Sequence, residues 1–416
     1  MKKLPLTNFR ALIMLFALIA ICIFFHIVTH GIFLSPQNIT NLFRQSSIVG
    51  LLAIGMVLVI VSGNIDLSVG SLVGLTGGMA AIFAVNYHLS LPVTILLTLL
   101  AGILVGSAQG FLVAYLRIPA FIVTLGGLLI FRGWISAWMK GETIPVPTDF
   151  QFLGGGFLNS TEGWIVAAIA IILSVYSIIN ASRSRMKHGL EAESMFLTIG
   201  KAVFVSAIIL GFMFIFVKSG SHSFKPPISS PIKLPESNPL FNTEAYQSAM
   251  KQGQASVITQ DRSIPVPVII LLALALLFSF IATKTVFGRR VFAIGGNAEA
   301  AFLSGINIRW NTMAVFAISG MLSAIAGIIY TARLGSAAPD AARGYELYAI
   351  AACVIGGTSL SGGRGTIFGA MIGALIMASL DSGMSILNVD PFFQDIIKGA
   401  VLVFAVYLDV ASKKER

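Results

Sequence analysis

A chain of 416 residues with 56% hydrophobic and only 11% charged side chains lacks the polar surface of a soluble domain, which carries about 25% charged residues. Its mean hydropathy of +0.90 excludes a soluble enzyme and predicts a protein that crosses the membrane many times. The net charge of +10 reads as basic residues in short connections that orient the helices, not as a surface for nucleic acid.

The first element follows Lys2, Lys3 and Arg10. Its apolar run, about 11–33, is longer than the roughly 7–15 residues of a cleavable signal core, so it reads as an uncleaved first membrane helix. Further runs at about 46–62, 68–85, 92–115, 119–139, 163–181, 199–217, 264–283, 312–332, 346–358, 366–387 and 394–410 approach the roughly 20 residues that span a hydrocarbon core. The expected fold is an all-α polytopic membrane protein of about 10–12 transmembrane helices, a single permease domain over 1–416. Lys and Arg concentrate in alternate connections, among them Arg117, Arg289, Arg290 and the tail Lys413-Lys414, which places both termini in the cytoplasm. With that orientation the Pro- and Ser-rich stretch 219–263 is an extracytoplasmic loop, either a spacer or a docking element, and 284–311 is cytoplasmic.

Between two uncharged runs lies "VSGNIDLSVGS" (61–71), with the lone carboxylate Asp66. Two readings stand side by side: Asp66 or Ser68 caps the next helix and satisfies freed backbone, or Asn64, Asp66 and Ser68 border a translocation path. A weak internal repeat links "AIGMVLVIVSGNIDLSVGSLVG" (53–74) to "AIAACVIGGTSLSGGRGTIFG" (349–369), each a Gly-rich broken helix. Gly70, Gly74 and Gly78, like Gly365, Gly369 and Gly373, follow the small-residue spacing that lets membrane helices approach closely. Cys22 and Cys353 both lie in apolar runs and read as small buried side chains.

Catalytic patterns are missing. The nearest approach to a phosphate-binding loop, Gly357 to Arg364, has Gly363 where the lysine belongs. The five histidines show no metal-ligand spacing, so no metal or other cofactor is expected. Permeation is the remaining function class. Asp66, Arg132, Asp381 and Lys398 are the few ionisable groups inside apolar runs, which suits a neutral polar solute better than an ion-coupled carrier. Arg132 is expected to snorkel outward. If the energy comes from a partner, the receiving surface is 283–311, where Gly295-Gly296 breaks the chain, Asn297 caps a short helix over 298–304, Glu299 complements its dipole and Gly305 ends it.

The stretch "FGRRVFAIGGNAEAAFLSGINI" resembles the coupling loop of bacterial monosaccharide ABC-importer permeases, the ribose, galactose and xylose group. "SGNIDLSVGSLVGL", "PAFIVTLGGLLIFRG", "YELYAIAACVIGGTSLSGGRGTIFGA" and "MASLDSGMSILNVDPFFQDIIKGAVLVFAVYLD" resemble the same family, and "GGTSLSGG" and "MASLDSGMS" are most similar to its D-xylose permeases. The resemblance implies a non-enzymatic transport subunit in the bacterial inner membrane, assembled with a second copy of itself, an ABC ATPase and an external sugar-binding protein. It assigns ATPase coupling to Gly295, Gly296, Asn297, Glu299, Ala300, Ala301 and Gly305. Permeases for another monosaccharide are the alternative cargo reading, and a loop 219–263 longer than usual for the group is the one expected departure.

Overall fold

The computed structural model describes residues 6–187, 195–220 and 263–414, so nearly all of the expected loop 219–263 lies outside the described residues. The chain forms two compact units, one of Met1–Gly156 with Pro265–Arg416 and the other of Phe157–Ile264.

The larger unit contains α1 (Leu6–Val28), α2 (Pro36–Val61), α3 (Val69–Ala81), which runs on through a wider π turn at Ile82–Asn86, α4 (Leu91–Ala114), α5 (Ala120–Trp138) and α6 (Thr148–Gly155). The smaller unit holds α7 (Ser160–Lys187) and α8 (Met195–Gly220), packed on each other. The larger unit then resumes with α9 (Val266–Lys284), α10 (Val286–Gly296), α11 (Ala298–Leu303), α12 (Ile308–Leu334), α13 (Tyr345–Ile355), α14 (Ile367–Ile386) and α15 (Pro391–Lys414). The described sheet is one antiparallel pair, β1 (Ile144–Pro145) with β2 (Ser336–Ala337). Among the described residues nine helices are long and apolar enough to cross a membrane, and Met14–Val28 and Tyr345–Ile355 are shorter apolar helices.

The packing is that of a protein built for lipid. Along α4 the buried residues are Thr94, Thr98, Gly102, Gly106, Gln109 and Gly110, while Leu96, Leu100, Leu104 and Phe111 are exposed. A soluble helix buries its large apolar side chains; here the small and polar face turns inward, because lipid solvates leucine as well as the protein interior does. That face packs on α12 backbone to backbone: a Cβ on Gly110 would come within 2.8 Å of Met313 Cα, and one on Gly106 would overlap the Phe316 carbonyl. α12 also packs on α2, α3 and α6, making it the centre of this unit. α2 is buried at every position from Ser46 to Val61, as expected of a helix that is apolar all round.

Several boundaries differ from expectation for local reasons. α2 begins ten residues before the expected 46, because Ser35 accepts a bond from Asn38 N and Pro36 fits the first turn, although the Gln and Asn that follow are polar. α6 and α10, too short or too polar to stand out by hydropathy, were not expected. At 11 residues α13 is about 16 Å long, roughly half a hydrocarbon core.

Candidate functional site

The segment expected to meet a partner is built from its caps. Thr285 Oγ1 accepts from Gly288 N at 3.2 Å and starts α10; Asn297 Oδ1 accepts from Ala300 N at 2.9 Å and starts α11. Gly305, with φ of 77°, takes up the left-handed turn just beyond it. Gly295 and Gly296 do not break the chain as expected: they form the last turn of α10, and the break falls at Asn297, whose backbone is extended. Ala301 is buried and anchors α11, while Glu299, Ala300 and Asn297 are exposed. Phe302 and Leu303 are 67% and 79% exposed, two large apolar side chains in a segment that also carries the exposed Arg289, Arg290 and Arg309.

The end of α10 is wedged where the two Gly-rich breaks meet. Gly363 N, in the 356–366 break between α13 and α14, donates to Val61 O at the end of α2 at 2.9 Å. Gly295 lies across this bond. A Cβ there would overlap the Val61 carbonyl oxygen and come within 2.8 Å of Gly363 N. Conversely, a Cβ on Gly362 would stand 2.6 Å from Gly295 O, and one on Gly363 2.9 Å from Gly296 Cα. Gly362 and Gly363 have φ of 83° and 71°, conformations that a side chain would strain. The sequence reading noticed each broken helix separately; their junction with α10 it missed, apart from the repeat that paired them.

The 62–68 break has its own polar interior. Asp66 is 2% exposed, and its Oδ1 accepts from Ser68 N at 2.9 Å and from Ser68 Oγ at 2.6 Å. Ser319 Oγ of α12 reaches Asp66 Oδ2 at 3.5 Å, and Gln109 Nε2 of α4 donates to Ser68 Oγ at 2.9 Å. Asn64 is part-buried and turns back to Ser62 Oγ at 3.0 Å. One carboxylate thus ties the start of α3 to α4 and α12. Asp66→Ala is expected to cost about 1–3 kcal/mol by leaving the Ser68 donors unpaired, read as a lower melting temperature of the solubilised protein. Asp66→Asn keeps an acceptor for Ser68 N and should retain most of the stability and the uptake; loss of uptake alone in that variant would instead mark an ion-carrying role.

Arg132 does not snorkel outward. It is half-buried and donates from Nη1 to Pro339 O at 2.9 Å and Ala341 O at 2.8 Å, clamping the connection after β2. Asp381 and Lys398 form an ion pair at 2.9 Å, at the far ends of α14 and α15 from the glycine junction. Among the described residues no three His, Cys, Asp or Glu side chains are grouped to hold a metal ion.

Comparison with known proteins matches residues 38–406 to the family described as branched-chain amino acid transport system permease components. The xylose transport system permease protein of Haemophilus influenzae is 43% identical over all of this chain and all of its own length. That of Escherichia coli is 41% identical over 98% of this chain and 93% of its own. A ribose import permease of H. influenzae is 32% identical over 97% and 92%. The end-to-end match with the first of these leaves the expected extra length at 219–263 without support. No solved structure matches the chain.

Proposed function

This chain belongs to the family of branched-chain amino acid transport system permease components, and on that footing we propose that it is the membrane permease of an ATP-driven D-xylose importer. The observation that carries the reading is the likeness, at 43% and 41% identity, to two xylose permeases along essentially the whole chain, against 32% for the ribose permease. It is a multi-pass membrane protein and a transport component; the assignments that follow go further. It sits in the bacterial inner membrane with both termini in the cytoplasm, works as a pair of identical chains, receives sugar from an external binding protein and takes its energy from a separate ABC ATPase.

The geometry supports a division of labour. α11, with Phe302 and Leu303 outermost and Glu299 in its first turn, is the docking element for the ATPase. Gly295 and Gly296 carry its displacement to Val61 and Gly363, the ends of both broken-helix pairs, through backbone contact that no side chain cushions. Asn64, Asp66 and Ser68 hold one of those breaks in shape beside the path.

The test is uptake of labelled D-xylose at low concentration in cells that lack and then regain this chain, with the ATP pool and the proton gradient collapsed separately. Chain-dependent uptake that fails on ATP depletion and tolerates a protonophore is expected. Uptake that follows the proton gradient defeats the ATPase assignment, and ATP-dependent uptake of ribose without xylose defeats the cargo.

A further inference from the structure

Near the N-terminal ends of α13 and α15 lies an open recess of about 440 Å³, bounded by those two helices and α14. It falls within the range of about 300–1,000 Å³ typical of small-molecule sites. We propose that this recess holds the neutral monosaccharide in transit. The assignment rests on the importer reading above and gives it a sugar site.

Three observations carry it. The polar wall is made by Arg343, Glu346, Tyr348, Asp395 and Lys398, two cations against two carboxylates, so the recess offers hydrogen-bond donors and acceptors with no net charge to select an ion. Of its two cations the buried one is already matched: Lys398 is 8% exposed, pairs with Asp381 at 2.9 Å and Asp395 at 3.5 Å, and donates to Tyr348 Oη at 2.6 Å, while Arg343 stands at the exposed rim. A ligand carboxylate therefore has no unneutralised lysine to meet, whereas the Tyr348 hydroxyl, accepting from Lys398, keeps its own proton to donate. Met377 and Leu402 add apolar surface for the C–H faces of a sugar ring.

The position fits the direction of transport. Gln45 of α2 donates to Asp381 beside this recess, and Val61 of the same helix is at the glycine junction. Those residues are about 24 Å apart along the helix. The recess thus lies at the end of the bundle away from α11.

Gly399 lines the recess and has open space around it: a Cβ there meets nothing within 4 Å. Gly399→Phe is expected to fill the recess and lower uptake of D-xylose at sub-saturating concentration by about tenfold or more, with membrane level and ATPase association preserved. Wild-type uptake in that variant overturns the site. A second measurement decides should the phenylalanine disturb folding: in solubilised full-length Gly399→Cys, with Cys22→Ser, D-xylose is expected to slow maleimide labelling while the zwitterion L-leucine and the anion D-xylonate do not. Labelling unaffected by D-xylose, or slowed only by L-leucine or D-xylonate, overturns the proposal. Absence of xylose uptake by the unaltered chain is a separate result that removes the importer reading itself.

Discussion

Gly295→Ala is expected to destabilise the protein and to reduce uptake to background, although it adds one methyl group to a helix. The reason is position. The methyl would overlap the Val61 carbonyl oxygen, which already accepts from Gly363 N. Relief requires α10 to withdraw from α2, the Val61–Gly363 bond to open, or both. Overpacking of this kind costs about 1–3 kcal/mol where flexible side chains yield, and here the obstacle is backbone. The adjacent Gly296 supplies the internal control, because a Cβ there has nothing within 4 Å. Gly296→Ala removes a helix-disfavouring glycine, worth about 0.5–1 kcal/mol within a helix, so it should melt no lower than the unaltered chain. Melting of the two solubilised variants, with their membrane levels, reads the contrast. Equal stability of the two would show that the α10 junction is loose, and with it would go the rigid link between α11 and the broken helices.

Much of this arrangement is legible in sequence where the cause is local. Asn297 and Gly305 bracket seven residues, and the cap bond to Ala300 N and the left-handed Gly305 follow from residue type and spacing alone. Asp66 reads as a group that satisfies freed backbone for the same reason, and its bonds from Ser68 are local, although neither side chain bonds the first turn of α3 as a cap. Its ties to Ser319 and Gln109 are not, since nothing near either residue marks the other. The glycine junction was legible only in halves. Two similar Gly-rich breaks are visible in the chain, but a contact between the backbones of residues 61, 295 and 363 leaves no side-chain pattern to find. Arg132 misled because a long cation in an apolar helix is expected to reach for water; the carbonyls of Pro339 and Ala341 come from a distant connection. The Lys398–Asp381 pair shows the same limit: each residue stood out alone as an ion in an apolar run, and only the fold brings α14 and α15 together.

Phe302→Asp combined with Leu303→Asp is expected to abolish uptake and to detach the ATPase while leaving the permease in the membrane at its normal level. At 67% and 79% exposure these side chains contribute little to the packing of their own chain, and the buried Ala301 continues to hold α11 in place. Two exposed apolar side chains in a segment with the exposed Arg289, Arg290 and Arg309 have the composition of an apolar anchor with a charged rim. Anchors of that kind cost about 2 kcal/mol or more each when removed, and two carboxylates in a dry interface add a desolvation penalty. Glu299→Lys with Gly305→Val should act on the same step by a different route. A lysine in the first turn of α11 opposes its dipole, and a β-branched residue at φ of 77° displaces the turn that follows. Co-purification of the ATPase with the tagged permease, beside xylose uptake, separates the outcomes. Lost ATPase with intact permease places the docking surface on α11. Retained ATPase and normal uptake in the double aspartate variant would move docking elsewhere, leaving Phe302 and Leu303 as side chains that face the membrane surface.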